Sequence, residues 1–271
     1  NEIKCKLWIQ ILEECLRTTI EDIHKEVYQA LEFFSKNILT YFKDLEINMI
    51  ENFIKKIQFE KIKDIKKAFV KAISTFDSQI LLIKYETIIE LLCNNAKIKK
   101  DILMNDAEIR VVSVYSFIEI FIKIMPFINN INILVLILDT LIATGNDYTV
   151  DKRGDIGMLV REETCYSIEK IWNAFIINKF KNEYFDIWIN SYIEKELGFL
   201  LTLLFEPNDR IRLSAGLILQ NLICDLFISL PLFENKYLFE KKFNSNYLKE
   251  KFEIFQNKYY KIYDVSLLDN N

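Results

Sequence analysis

Apolar positions recur along this chain at three- and four-residue spacing, the period that gathers them on one face of a helix. Trp8, Ile11, Leu12, Cys15 and Leu16 form a first stripe. Ile20, Ile23, Val27, Leu31, Phe34, Ile38 and Phe42 form a second, longer one, with Thr18 or Thr19 as its expected N-cap. The same pattern predicts helices over 47–57, 62–73, 79–93, 106–124, 130–143, 156–177, 184–205 and 209–227, and two short ones between 237 and 263. Met125-Pro126 ends one helix, because proline disfavours helical backbone at the residue before it. Pro207 and Pro231 break the chain again, and Gly198 is the expected bend in the helix over 184–205.

Three of these helices open alike. Ile109-Arg110, Val160-Arg161 and Ile211-Arg212 begin similar stretches 51 residues apart. Each follows an acidic turn: Asn105-Asp106, Asp155, and Pro207-Asn208-Asp209. Four residues on stands a small or hydroxyl residue (Ser113, Thr164, Ala215), and eight on a large apolar one (Phe117, Ile168, Leu219). Offsets 0, 4, 8, 11 and 12 share a helix face, and the small residue lets a neighbouring helix come close. The arginine lies off that face, placed to pair with carboxylates in the turns of adjacent units. Arg110, Arg161, Asp209 and Arg212 are therefore read as parts of the repeat's architecture. A slipped fourth copy starts at Ile65-Lys66, with Phe69 four residues on and a spacing of 44.

This pattern is similar to the second helix of a HEAT repeat, a unit that stacks because it cannot bury its face alone. The expected fold is an all-α, HEAT/armadillo-like helical-repeat solenoid running as one array over 1–271. Irregular helical repeats are expected over 1–100, three units of 51 residues over 101–230, and short helices over 231–271. The chain starts at Asn1 instead of a methionine and ends at Leu268-Asp-Asn-Asn, which reads as a fragment of a longer protein.

Composition narrows the picture. Five glycines and three prolines in 271 residues leave little material for hairpins, and 51% apolar residues supply an ample core. A formal charge of −4 disfavours nucleic acid as the main partner, since neutralising phosphates needs a concentrated basic face. The basic stretch Lys55–Lys71 is interleaved with Glu60 and Asp64 and reads as a solvated helix face. Cys5, Cys15, Cys93, Cys165 and Cys224 are scattered, with no CxxC, as buried thiols in a reducing cytosol would be. His24, the only histidine, is expected on a helix surface, and no His-based metal site or triad can be assembled around it. The apolar run 131–143 holds Asp139 and is too short to span a bilayer, so membrane insertion is not expected. Glu162-Glu163 reads as a solvated pair. With no glycine-rich phosphate loop, metal cluster or nucleophile–base pair in the sequence, the chain is expected to be no enzyme and to need no cofactor.

The middle repeat carries the unusual sequence. Asp147, Asp151, Lys152, Arg153 and Asp155 crowd into nine residues beside Tyr148, and Gly154 and Gly157 give backbone freedom at the start of the next helix. The residues alone leave two readings open. One is a loop held by its own Asp–Arg pairs and Arg161, with Asp155 capping the helix. The other is a partner-binding loop using Asp147, Tyr148, Asp151, Arg153 and Asp155, since loops projecting from a rigid array collect binding residues.

Asp147-Tyr-Thr-Val-Asp-Lys-Arg-Gly-Asp-Ile-Gly157 followed by Val160-Arg161 resembles a stretch in the C-terminal region of the tubulin-folding cofactor D family. A second landmark of that family is similar to Glu206-Pro-Asn-Asp-Arg-Ile-Arg212 before Ala215-Gly216, although Pro207 and Asn208 depart from it. The resemblance covers roughly 130–240. It implies a HEAT-like solenoid that binds β-tubulin and works with cofactors C and E and an ADP-ribosylation-factor-like small GTPase. Together these assemble or take apart the αβ-tubulin dimer in the cytoplasm, in association with the cytoskeleton, with GTP hydrolysis by tubulin as the release switch. A generic HEAT scaffold for another partner is the alternative. Assistance to a GTPase by Arg153 or Arg161 as an arginine finger is a third reading.

Overall fold

The computed structural model describes residues 2–99, 106–177 and 183–229. The protein is all-α and built of helical repeats. Among the described residues the helices are α1 (Glu2–Leu16), α2 (Glu21–Asn37), α3 (Lys43–Phe59), α4 (Lys63–Ile73), α5 (Ser78–Leu81), α6 (Tyr85–Ala96), α7 (Ala107–Ile124), α8 (Ile131–Gly145), α9 (Gly157–Ile177), α10 (Glu183–Ser191), α11 (Ile193–Leu203) and α12 (Asp209–Ser229). Two short strands, β1 (Val150–Asp151) and β2 (Gly154–Asp155), pair antiparallel between α8 and α9. The chain divides into two compact units, Asn1–Phe185 and Asp186–Asn271, at a boundary inside α10.

In the first unit, α4 packs on α7 and α7 on α9, while α6 packs on α8; α6 also lies against α7, and α8 against α9. The first row thus holds the helices that carry Ile65-Lys66, Ile109-Arg110 and Val160-Arg161 near their starts. The repeated face is buried: Ser113, Phe117, Ile120 and Phe121 on α7, Thr164 and Ile168 on α9. The hydroxyl position four residues into α9 shows why a small residue stands there. Thr164 Oγ1 lies 2.8 Å from the Val160 carbonyl and 3.0 Å from Thr144 Oγ1 of α8, which brings the two helices together.

Helix starts follow local capping chemistry where the sequence supplies it. Asp106 accepts from the amides of Glu108 and Ile109, and Asn130 from that of Ile133. After α7, Met125-Pro126-Phe127 forms a 3-10 turn. At α2 the expected cap is replaced. Thr18 donates to the Cys15 carbonyl and closes α1, and Ile20 takes the N-cap position with no side-chain bond. His24 is buried there and not on the surface, because the turn folds back so that its Nε2 lies 2.9 Å from the Thr18 carbonyl.

Other boundaries moved for physical reasons. The second stripe ends in a 3-10 turn at Leu39–Tyr41, so its last residues belong to a bend. The helix expected over 79–93 is two helices with a turn at 82–84 between them. In the first stripe Leu12 and Leu16 are buried, but Trp8 is 56% exposed and Ile11 42%.

In the second unit, α11 packs on α12, and Ile211, Ala215, Leu219 and Leu222 of the third repeat are buried. The helix expected over 184–205 breaks at Tyr192 and not at Gly198, which lies inside α11. Across that break the buried Trp188 indole donates to Glu196 Oε2 at 2.9 Å. The pair of helices expected over 237–263 lies outside the described residues. Among the described residues no helix is long and apolar enough to cross a membrane.

Candidate functional site

The loop between α8 and α9 is built around Asp147. Its Oδ1 accepts from the Thr149 amide at 3.1 Å and the Thr149 hydroxyl at 2.7 Å, a local turn that Asp-x-Thr spacing favours. Its Oδ2 lies 2.7 Å from Arg110 Nε of α7. Arg110 Nη2 also donates to Thr149 Oγ1 at 2.6 Å. Arg110 and Asp147 are both 1% exposed, so a buried cation of one repeat is neutralised by the loop that opens the next.

Arg161, on the second turn of α9 and fully buried, grips the same loop from the other side. Its Nη1 donates to the Asp147 carbonyl at 2.5 Å and its Nη2 to Asp155 Oδ2 at 2.7 Å. The Tyr148 ring covers the guanidinium, its centroid 4.0 Å from Cζ. Asp155 also accepts from the Met158 amide at 3.0 Å, capping α9 against its positive end. Gly157 donates its amide to the Thr149 carbonyl at 2.9 Å. A Cβ at Gly157 would lie 2.2 Å from the Asp147 carbonyl oxygen, so the glycine is required for close approach and not for backbone freedom.

Residues 150–155 form a β-hairpin, which helical periodicity did not predict. Val150 pairs with Asp155 and Asp151 with Gly154, whose φ of 105° is a conformation open to glycine. At the tip Asp151 accepts from the Arg153 amide at 2.7 Å, from Nε at 3.0 Å and from Nη2 at 2.8 Å. These bonds hold the Asp151 carboxyl below the ordinary carboxylate range. Arg153 Nη1 lies 3.8 Å from Glu108 of α7, and Glu108 is bonded by Lys67 of α4. Lys63 of α4 pairs with Asp106 at 2.7 Å. Burial alone would raise the Asp106 carboxyl, but Lys63 and the two α7 amides outweigh it and hold it low. The basic stretch is therefore partly spent on the α7 N-terminus instead of being simply solvated.

Of the residues singled out in the sequence, Asp147 points inward and is inaccessible to a partner, and Asp155 is engaged by Arg161 and the α9 cap. Tyr148 is 49% exposed, and Asp151 and Arg153 sit at the hairpin tip. The repeat arginines differ. Arg110 reaches the following unit's loop, whereas Arg161 holds its own preceding loop. Arg212 bonds the carbonyls of Glu206 at 2.6 Å and Pro207 at 2.9 Å and pairs with Asp209. Thr149 joins Asp147 to Arg110 and was not singled out; Asp-x-Thr was its available signal.

Glu162-Glu163 is not a solvated pair. Glu162 is buried and Glu163 half-buried, because α9 packs against both α7 and α8 and keeps only a narrow polar face. Desolvation pushes the Glu163 carboxyl up to about 7 against the pull of Lys170 and Lys71. Those lysines both sit over the Tyr115 ring, 4.5 and 3.6 Å from its centroid. Among the described residues no three His, Cys, Asp or Glu side chains are grouped to hold a metal ion.

No protein-family model matches the chain. Over 192 residues it is 28% identical to Tubulin-specific chaperone D of Dictyostelium discoideum. That match covers 61% of this chain and 13% of the relative, so the chain spans a small part of the relative's length. The chain is thus a helical-repeat protein similar, over that part, to a tubulin-specific chaperone.

Proposed function

We propose that this chain works as a tubulin-folding chaperone. It binds β-tubulin and helps assemble or take apart the αβ-tubulin dimer, in the cytoplasm and in association with the cytoskeleton, together with cofactors C and E and an ADP-ribosylation-factor-like small GTPase. The observation that carries this reading is the similarity to Tubulin-specific chaperone D. The hairpin between α8 and α9 is its contact site. It is clamped at its base by Arg110 and Arg161, so little ordering is left to be done on binding, and it projects Tyr148 from a rigid array.

The action is binding and not chemistry. Arg161 is buried and committed to Asp147 and Asp155, which speaks against its use as an arginine finger, and Arg153 pairs with Asp151 within the hairpin tip. The test is retention of purified αβ-tubulin on the immobilised chain, beside a Tyr148→Ala variant of unchanged helicity. Retention by the wild type and weakened retention by the variant are expected. Absence of retention by the wild type would favour a helical-repeat scaffold for another partner.

A further inference from the structure

We propose that the hairpin meets its partner through a row of three exposed residues, Tyr148 at its base, Val150 in its first strand and Lys152 in its turn, and that the partner presents an apolar depression bordered by carboxylates. This rests on the reading of the hairpin as a contact site and names the residues and the surface chemistry it uses.

Exposure alternates from 148 to 152 and is continuous over 152–155. Tyr148, Val150 and Lys152 are exposed, while Thr149 and Asp151 are partly covered. Thr149 is bonded inward to Asp147 and Arg110, whereas Asp151 pairs with Arg153 at the exposed tip. Tyr148 precedes β1, Val150 lies in it and Lys152 stands in the turn after it, so the three exposed residues follow the hairpin from its base to its tip. Val150 is 72% exposed and Tyr148 49%, so the two present apolar surface side by side at the hairpin. Arg161 under the Tyr148 ring and the pairing of Val150 with Asp155 fix the positions of both. Rigid, partly exposed aromatic side chains beside apolar ones are the usual anchors of protein interfaces.

The charges set the partner's sign. Asp147 is neutralised by Arg110, Asp151 by Arg153 and Asp155 by Arg161. Lys152 is the remaining charge of the hairpin, exposed and in no ion pair among the described residues. A surface with carboxylates around an apolar depression complements one unspent cation beside two apolar side chains. The Asp151–Arg153 pair, though the most charged part of the tip, satisfies itself and has little left for a partner.

The experiment is a titration of the full chain with purified αβ-tubulin, using wild type, Tyr148→Ser, Val150→Thr, Lys152→Glu and Arg153→Gln, each checked for unchanged helicity. Tyr148→Ser and Lys152→Glu are expected to weaken binding about tenfold each. Val150→Thr, which keeps the branched side chain, is expected to weaken it about threefold, and Arg153→Gln by less than about twofold. Added salt should weaken the wild type more than Lys152→Glu. If the wild type binds and the three row variants bind as well as it does, or Arg153→Gln alone is weak, the assignment of the row is overturned while tubulin binding stands. If the wild type does not bind, the functional reading fails and this proposal fails with it.

Discussion

Arg110 Nε and Asp147 Oδ2 lie 2.7 Å apart with both side chains removed from solvent, joining the first turn of α7 to the loop that opens the following repeat. A buried pair is not a cheap source of stability, but leaving one partner alone is costly. Asp147→Asn keeps the acceptor for Thr149 and strips the counter-charge from Arg110. It is expected to cost about 3 kcal/mol in chemical denaturation. Arg110→Met should cost a similar amount, and the double variant should recover part of the loss because no lone charge remains. Additive losses would contradict direct coupling of the two residues.

Gly157 and Gly154 separate two reasons for a glycine. At Gly157 a methyl group would drive into the Asp147 carbonyl, so Gly157→Ala is expected to lower stability by about 3 kcal/mol. At Gly154 there is open space around the position of a Cβ and only the positive φ is strained, so Gly154→Ala is expected to cost about 1 kcal/mol. Equal melting temperatures for the two variants would refute this distinction.

Glu163 gives the fold a pH dependence near neutrality. Burial raises its carboxyl from 4.5 to about 7, so the folded chain holds this proton more tightly than the unfolded chain. Its contribution to stability is complete below about pH 4.5 and is lost as pH rises through about 7. The groups around it are Lys71, Tyr115, Glu119, Glu162 and Lys170. Glu163→Gln should flatten the fall in unfolding free energy between pH 5 and 8, and an unchanged slope would show that another group carries it.

Arg153 belongs to the tip and not to the core. Arg153→Ala is expected to change the unfolding free energy by less than about 0.5 kcal/mol, because exposed ion pairs contribute little. Arg161→Ala, which empties a buried site and removes the donor to the Asp147 carbonyl, should lower the melting temperature clearly. Equal effects of the two substitutions would mean that the base of the hairpin is not the clamp described.

The repeat was legible because a helix face must be buried: Ser113, Thr164 and Ala215 stand at the same offset and are all inside. Asp106 and Asn130 announced their helices because a cap needs only the local side chain. The hairpin was not legible. Its strands are two residues each, too short for alternation to register, and Gly154 was read only as freedom at a helix start. His24, Glu162 and Glu163 were misplaced because their burial depends on what packs against the helix, which periodicity does not encode. The roles of Arg110 and Arg161 were half-legible: charge complementarity suggested pairing with turns, but burial followed only from the loop folding over them.

The most direct measurement of the account is hydrogen exchange on the full chain with and without saturating αβ-tubulin. Added protection at the amides of 148–153, with the amides of α1 to α6 unchanged, is the result expected if the hairpin is the tubulin contact. Protection located elsewhere, or none at all, would contradict it.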